Sequence, residues 1–276
     1  MGVKMFDEEF FKLYNEETEE NQENREQNST PSSEPIETIS YGSEQKKTFV
    51  LSIGGSVIAP EKPDSTFISK LAQSIEKLHS EGYAFAIVVG GGKTARNYIA
   101  AAKSLGAGNY SLDRIGILAT RLNALVLIQA IEKAHPLVLT SIDEASEVIA
   151  RGRIPVFGGL MPGFTTDAIA ALLAEALAGE YINLTNVDGV YSSDPKENPR
   201  ARFFEEISYE KLLSLMKLAG SKPGQNLVID VPACLILKRS AIPSIVLDGK
   251  DLENFGNAVR GLDFKGTRIV KTETGQ

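Results

Sequence analysis

The sequence predicts an α/β fold in which a mainly parallel central sheet is sandwiched by helices, preceded by a disordered acidic N-terminal arm. From Thr48 onward, short runs rich in Val and Ile alternate with segments of helical periodicity, which is typical of strands and helices in succession. The runs are apolar on both faces, as parallel strands covered by helices on either side should be. Clusters of glycine follow several of the runs, where turns into helices are expected.

The first 47 residues differ in composition from the rest. They hold 12 acidic and 5 basic residues, which accounts for the whole net charge of −7 and leaves the remaining chain neutral. A segment so rich in Glu, Asn, Gln and Ser buries too little apolar surface to offset the entropy of ordering. We therefore predict a disordered extension over residues 1–47 and a folded domain over residues 48–276.

Several functional classes are disfavoured by composition. No uncharged apolar run approaches 18 residues, so no membrane-spanning helix is expected, and the N-terminus lacks the apolar stretch of a signal peptide. No basic stripe provides a surface for nucleic acid. The single cysteine, Cys234, excludes an internal disulfide, and a cytoplasmic setting is therefore expected.

The predicted strands are Thr48–Ile53, Ala84–Val89, Leu137–Leu139, Ile154–Phe157, Tyr181–Leu184 and Ser244–Leu247. A first helix is predicted where apolar residues recur at helical spacing from Phe67 to Leu78, behind Asp64 as a possible cap. A long and almost wholly apolar helix is predicted over 112–134, sandwiched between layers, and another over 166–178. The Asp-, Asn-, Gly- and Pro-rich segment 186–199 is expected to be a hairpin or a loop.

Glycine turns follow three of the predicted strands. They are Gly54-Gly55-Ser56, Gly90-Gly91-Gly92 and Gly158-Gly159, and the last two lead into helices. In an open parallel sheet, ligands bind beyond the carboxyl ends of the strands, where exposed backbone N–H groups and helix N-termini attract anions. One such turn fits a simple loop as well as an anion site. Three on one edge favour a long, multiply charged ligand or two phosphorylated ligands end to end.

The second glycine turn partly matches two known nucleotide-binding motifs. The phosphate-binding loop that ends in Gly-Lys-Thr requires a glycine at position 87, which is Ile87 here. The pattern G-x-G-x-x-A does fit residues 90–95, and Asp113 lies about 20 residues further on, as in dinucleotide-binding folds. That acid should end a strand, whereas Asp113 is expected to open a helix. A nicotinamide-dependent enzyme is therefore the less favoured alternative.

Polar residues near these turns each have two interpretations. Arg96, one turn into the helix after the triple glycine, either grips a phosphate or is an ordinary surface arginine. Asp113 either binds a ribose or caps the long helix. Tyr191 and Asp194 follow the tight turn at Asp188-Gly189, and turn chemistry alone does not explain them. They are candidates to stack on a base and to hold a ribose or a metal.

Taken together, these motifs resemble the amino acid kinase superfamily and, within it, the UMP kinases of the archaeal and bacterial type. The matching strings cover about residues 48–270. They are Ser52–Ser56, Gly90–Arg96, Asp113–Gly116, Thr120–Asn123, Gly158-Gly159, Pro162–Ala168, Thr185–Tyr191 and Asp194-Pro195.

The resemblance implies in-line transfer of the γ-phosphoryl group of ATP to UMP with Mg²⁺, and assembly into a homohexamer. It implies a UMP-binding portion at about 48–180 and an ATP-binding portion at about 181–276. The implied catalytic residues are Arg96 and Asp167. The implied ATP-binding residues are Ser52, Ile53, Gly54, Gly55, Ser56, Gly92, Arg96, Thr185, Asn186, Tyr191 and Asp194. The implied UMP-binding residues are Gly91, Asp113, Gly159, Leu160, Met161, Pro162, Gly163, Phe164, Thr165 and Thr166.

The sequence departs from the wider family at two cations. Ser52 stands where many members carry a lysine on the first strand, and Leu235 stands where many carry a lysine in a later helix. Lys238, Lys93 and Lys222 are candidate replacements. The departure leaves a second possibility open, a non-catalytic nucleotide- or oxyanion-binding paralogue on the same fold. No metal ligands are assigned from the sequence.

Overall fold

The computed structural model describes residues 47–193, 195, 198–219 and 228–271. The predicted disordered extension lies outside these ranges except for Lys47. Among the residues described, no helix combines the length and apolar character needed to cross a membrane.

A single mostly parallel sheet organises the fold. In the part of the chain described, seven strands lie in the order β3-β2-β1-β4-β8-β9-β7. The first five of these run parallel, β9 is antiparallel to β8, and β7 is parallel to β9. The strands are β1 (Thr48–Ile53), β2 (Ala84–Val89), β3 (Val156–Phe157), β4 (Glu180–Thr185), β7 (Glu206–Ser208), β8 (Ser244–Asp248) and β9 (Thr267–Val270). A separate antiparallel pair joins β5 (Val190–Tyr191) to β6 (Phe203–Phe204).

Helices connect the strands and cover both faces of the sheet. They are α1 (Gly55–Ile58), α2 (Ser65–Ser80), α3 (Gly92–Ser104), α4 (Asn109–Ala130), α5 (Ala145–Ala150), α6 (Thr166–Ala176), α7 (Tyr209–Ala219), α8 (Val231–Arg239) and α9 (Leu252–Val259), with a 3-10 turn at Ile142–Glu144. Several begin at a side chain that accepts a backbone N–H, as Asp64 does from Phe67 at 3.1 Å. Such caps satisfy the free donors of the first turn.

The core lies on both sides of the sheet because alternate strand residues point to opposite faces. Leu51 of β1 packs with α2, α4 and α9, whereas its neighbour Val50 packs with α5, α6, α7 and α8. Both residues are fully buried. The prediction of a mainly parallel sheet sandwiched by helices is confirmed.

Two predicted strands are wrong in extent, and proline explains both. Leu137–Leu139 forms no strand: only Leu139 makes an isolated bridge, to Phe157, and Leu137, directly after Pro136, is exposed. The predicted strand 154–157 shortens to Val156–Phe157, while Ile154 makes an isolated bridge to Ala134. Pro136 and Pro155 have no N–H to donate, so neither extends a ladder of hydrogen bonds.

The long helix also differs from its prediction. It spans Asn109–Ala130 rather than 112–134, because the chain turns to extended backbone at Ile131. It was expected to be sandwiched between layers, yet Leu118, Leu122 and Leu125 are 62%, 55% and 42% exposed. Only the opposite face, which includes Ala124 and Leu127, is buried. In this chain α4 therefore covers the sheet with one side and presents leucines on the other.

Candidate active site

Three glycine turns lie at the same edge of the sheet. The last residue of β1, Ile53, pairs in register with Val89, the last residue of β2, and Phe157 at the end of β3 pairs with Val88. All three strands are parallel, so the turns that follow them begin side by side. The structure therefore brings together the three turns that the sequence placed on one edge.

The first two turns touch through their backbones. A Cβ on Gly55 would lie 1.9 Å from the amide nitrogen of Gly92, and a Cβ on Gly90 would lie 2.6 Å from the amide nitrogen of Gly55. Gly92 also has a φ of +58°, which side chains other than glycine rarely adopt. Only glycine fits at this contact, and the resulting surface consists of main-chain groups.

Two helix N-termini open at this edge. Helix α3 begins at Gly92, and α6 begins behind Thr165, whose hydroxyl accepts the N–H of Ala168 at 3.1 Å. The unsatisfied N–H groups and the helix dipole favour an anion at each position. Arg96 is exposed in the second turn of α3, and Lys93 in its first turn pairs with Glu61. A partly exposed ion pair of this kind is weak, so Lys93 can leave Glu61 at little cost.

The loop between β3 and α6 contains most of the predicted UMP-binding residues. Its Met161 and Phe164 are 47% and 44% exposed, and the N–H of Gly163 donates to Asp113 Oδ2 at 2.9 Å. The interpretation of Asp113 as the cap of the long helix is wrong, because α4 begins at Asn109, behind Gly108. Asp113 instead ties the second turn of α4 to this loop, whose apolar side chains face solvent.

Helix α4 holds two of the turns through polar side chains whose role the sequence did not reveal. Asn123 is buried and donates to the carbonyls of Gly90 and Gly91 at 2.9 and 3.1 Å. Thr120 accepts the N–H of Gly159 at 2.7 Å. Arg121 donates to the carbonyl of Gly159 at 3.1 Å. One feature of the sequence could have predicted these contacts: Thr120 and Asn123 are polar residues three positions apart on the buried face of an otherwise apolar helix.

Asp167 lies in the first turn of α6 and accepts two hydroxyl groups from the sheet. Ser52 Oγ donates to Asp167 Oδ1 at 2.6 Å, and the Tyr181 hydroxyl donates to the same oxygen at 3.4 Å. Burial raises the pKa of Asp167 to about 6, and the nearby Asp230 adds to the rise, while the two hydroxyls oppose it. The pKa of Asp167 thus lies just below neutral pH.

A second carboxylate joins the starts of two helices. Asp230 caps α8 by accepting the N–H of Ala233 at 2.7 Å, and it also accepts the hydroxyl of Thr165, the cap of α6. Thr165 is one of the UMP-binding residues that the resemblance implies, whereas no role is predicted for Asp230. The contact joins the loop after β3 to the helix that precedes β8.

The predicted ATP-binding residues fall into two groups. Thr185 ends β4 beside β1, where the N–H of Gly54 donates to the carbonyl of Leu184 at 2.9 Å. Tyr191 lies on the β5–β6 pair, and its hydroxyl donates to Asp188 at 2.9 Å. Ile53 is fully buried, so only its backbone is available to a ligand. Asn186 is exposed, Ser56 is half-buried in α1, and Asp194 lies outside the residues described.

The two candidate replacements for the family lysines that the structure describes, Lys93 and Lys238, lie at different distances from the glycine turns. Lys238 lies in the last turn of α8 and pairs with Glu210 at 3.1 Å, far along the helix from Asp230. Leu235 is 50% exposed on the same helix. Lys222 is not among the residues described. Of the two candidate lysines that the structure describes, Lys93 lies closer to the glycine turns, directly after Gly92.

The dinucleotide interpretation does not fit this geometry. It requires an acidic residue at the end of the strand after the glycine turn, and Asp113 is instead inside α4. Within the described ranges, no group of three or more His, Cys, Asp or Glu side chains is arranged to hold a metal ion. The edge is therefore a surface of backbone N–H groups, two helix starts and a few charged side chains.

Comparisons with known proteins agree with this arrangement. A sequence model of the amino acid kinase family matches residues 47–248. Uridylate kinases from Pyrococcus abyssi and Thermococcus sibiricus are 46% and 44% identical over 222 residues, which is 80% of this chain and 98% of each relative. The crystal structure of uridylate kinase from Archaeoglobus fulgidus superposes with a TM-score of 0.72 at 43% identity, covering 81% of this chain and all of that one. The chain belongs to the amino acid kinase family.

Proposed function

We propose that this chain phosphorylates UMP to UDP by direct in-line transfer of the γ-phosphoryl group of ATP. The observation that carries the proposal is the backbone contact between the first two glycine turns, at Gly55 and Gly92, with the third turn beside them. The names of the uridylate kinase relatives support the choice of nucleotide. Two phosphorylated ligands meeting at this edge would each face unsatisfied N–H groups.

Catalysis of this reaction needs positioning and neutralisation of charge. The acceptor phosphate is already an anion, so neither a protein nucleophile nor a general base is required. The main barrier that the protein must lower is the repulsion between two groups of phosphates. We propose that the glycine-turn amides, the starts of α3 and α6, and the cations Arg96 and Lys93 supply this stabilisation.

The two substrates are proposed to occupy opposite sides of the contact between the turns. UMP lies against Gly91, Asp113 and the loop 159–166, where Met161 and Phe164 cover the base. ATP phosphates lie against residues 54–56, Gly92 and Arg96. The adenosine lies toward Thr185, Asn186 and Tyr191. Asp194, the remaining ATP-binding residue that the resemblance implies, lies outside the residues described.

Mg²⁺ is proposed to accompany ATP. The residues described offer no ready-made cage of ligands, which fits an ion that usually keeps water and binds one or two carboxylates together with substrate phosphates. The ion neutralises phosphate charge when bound.

An assay of ADP formation with UMP, CMP, dUMP, acetylglutamate and carbamate as acceptors tests the proposal. We expect turnover that depends on UMP and Mg²⁺, with the other acceptors slower. Calorimetric binding of UMP and ATP without turnover would instead support a non-catalytic paralogue.

Arg96→Ala is expected to reduce kcat/KM by about 10²-fold, because a guanidinium contact to phosphate is lost where charge accumulates. The exposed Arg96 makes no ion pair within the described part of the chain, so the melting temperature should hardly change. Steady-state kinetics and thermal unfolding measure the two effects. Arg114→Ala, at an exposed arginine of α4, is the matched control. Equal losses in both variants would contradict the role of Arg96.

We propose that the chain assembles with further copies of itself through α4. Leu118, Leu122 and Leu125 form a stripe at helical spacing on the face opposite the core. A contiguous apolar stripe is typical of a protein interface. A homohexamer, as the resemblance implies, is the proposed final assembly.

Leu122→Glu is expected to break the assembly into smaller species, because a charge at the centre of an apolar interface is costly to bury. Light scattering during gel filtration measures the mass. Leu262→Glu places the same charge at another exposed leucine, which is 53% exposed outside α4, and should not change the mass. A monomeric parent protein would contradict the proposal.

The division into a UMP-binding portion at about 48–180 and an ATP-binding portion at about 181–276 is also proposed. The glycine turns after β1, β2 and β3 belong to the first portion, and β4 to β9 belong almost wholly to the second.

We place the protein in the cytoplasm, since its one cysteine, Cys234, is a buried free thiol.

A further inference from the structure

The hydroxyl groups of Ser52 and Tyr181 meet at the Asp167 carboxylate. We infer that both are positioning residues, which fix the orientation of this carboxylate at the start of α6 and keep it ionised while phosphoryl transfer takes place. The inference rests on the proposed function, because it concerns the state of Asp167 in that reaction. No role is predicted for Tyr181, and Ser52 is among the ATP-binding residues that the resemblance implies.

The sheet presents both hydroxyls to α6 from adjacent strands. Val50 of β1 pairs in register with Tyr181 of β4, and Ser52 pairs with Asn183 two residues further along. Residues two apart point to the same face of a strand. Val50 and Tyr181 belong to the core on the α6 side, so Ser52 points to that side as well. Asp167 lies in the helix that covers this face of the sheet and accepts both hydroxyl groups. The register of the two strands holds these donors in place.

The arrangement is costly to break because the donors are buried. Ser52 is 1% exposed and Tyr181 is fully buried, and within the described ranges no buried side-chain nitrogen or oxygen lacks a hydrogen-bond partner. If Asp167 turned away, it would leave donors without the acceptor that they now share. An unsatisfied buried donor costs more than an average hydrogen bond contributes. Asp167 is therefore held in one orientation before any substrate binds.

The groups around Asp167 shift its pKa in opposite directions. Burial disfavours the carboxylate, and the negative Asp230 at the start of α8 adds to that effect, together raising the pKa of Asp167 to about 6. Ser52 from β1 and Tyr181 from β4 are the groups that act in the opposite direction. No cation contributes to this balance among the residues described. Loss of either hydroxyl should therefore raise the pKa of Asp167 further and leave it protonated over more of the neutral range.

The test compares kcat between pH 5.5 and 8.5 for the parent protein, Ser52→Ala and Tyr181→Phe. A pKa rise of one unit from 6 to 7 would lower the ionised fraction at pH 6 about fivefold and have little effect at pH 8.5. We expect that pattern in both variants, with recovery of the parent profile in Ser52→Thr. The UMP phosphate also titrates near pH 6, but it does so equally in all variants, so only the difference between profiles is used.

Tyr209→Phe is the matched control. Tyr209, the first residue of α7, is also buried, and its hydroxyl donates to the carbonyl of Ile242 at 2.5 Å. Ile242 lies just before the start of β8, whereas the glycine turns follow the ends of the parallel strands. Its pH profile should coincide with that of the parent protein. A reduction of kcat by the same factor at every pH in Ser52→Ala and Tyr181→Phe would overturn the inference, since a merely structural loss has no reason to depend on pH.

Urea unfolding of the same variants gives a readout that needs no activity. The folded-state pKa of Asp167 exceeds its ordinary value of 3.8, so the free energy of unfolding should fall as pH rises from 4 through 6. In Ser52→Ala and Tyr181→Phe this fall should extend to higher pH, and in Tyr209→Phe it should not. Parallel curves would overturn the inference. If UMP-dependent turnover is missing but the curves differ as stated, the proposed function fails while the two hydroxyls still control Asp167.

Discussion

Replacement of Gly55 by alanine is expected to abolish UMP-dependent turnover and to destabilise the fold by about 3 kcal/mol or more. The new Cβ would lie 1.9 Å from the amide nitrogen of Gly92 and 2.7 Å from the backbone carbon of Gly90. Both neighbours are backbone atoms of the turn that follows β2, so the collision cannot be relieved by rotating a side chain. The turns must separate, and the edge that is proposed to hold the phosphates separates with them. Urea unfolding and the ADP-formation assay measure the two losses.

Gly108→Ala is the matched control for this effect. Gly108 precedes α4 at a φ of −76°, and a Cβ there would meet nothing within 4 Å. The cost should stay below about 1 kcal/mol, as for other substitutions at the start of a helix. An active and stable Gly55→Ala protein would show that the first two turns are further apart than described, and it would remove the main support for the proposed function.

Asp167→Asn is expected to lower kcat by about 10²-fold while making the protein more stable at pH 8. The pKa of Asp167 in the folded protein is about 6, against 3.8 as its ordinary value. The folded state therefore binds the proton more tightly than the unfolded state, and stability is lost as pH rises from about 4 to 6. Asparagine carries no charge, so it avoids that loss. The rise in pKa corresponds to about 3 kcal/mol. The neutral amide accepts weaker hydrogen bonds from Ser52 and Tyr181 than the carboxylate does, so we expect a net gain of about 1–2 kcal/mol.

Unfolding by urea at pH 4, 6 and 8 measures the gain. The variant should match the parent protein near pH 4, where Asp167 is largely protonated, and exceed it at pH 8. Asp143→Asn, at an exposed carboxylate of the 3-10 turn, should change neither activity nor the pH dependence. A variant that loses stability equally at all three pH values would show that Asp167 acts through hydrogen bonds alone.

The sheet and its glycine turns could be predicted from the sequence because both depend on local patterns. Short apolar runs marked β1, β2, β4 and β8 within one residue at each end. The short strands β7 and β9, of three and four residues, carry too little alternation to be recognised. Pro136 and Pro155 were visible in the sequence, but their effect depends on which backbone N–H groups the sheet requires.

The candidate site was predictable in position but not in its internal contacts. Strand ends placed the turns on one edge, and the resemblance named most of the residues there. Nothing local to the sequence showed that Ser52 faces Asp167, which is 115 residues away, or that Thr165 donates to Asp230 across 65 residues. Such contacts depend on strand register and on how helices pack, and these follow from the whole fold.

Two residues of α4, Thr120 and Asn123, anchor glycine turns through hydrogen bonds, and this limits how the sequence can change through evolution. Thr120 holds the turn after β3, and Asn123 holds the turn after β2. A helix advances about 1.5 Å and rotates about 100° per residue, so their separation fixes both a distance and a direction. A single inserted or deleted residue between them would swing one anchor off its glycine turn. Relatives of this chain should therefore diverge here by substitution, with the length of this stretch retained.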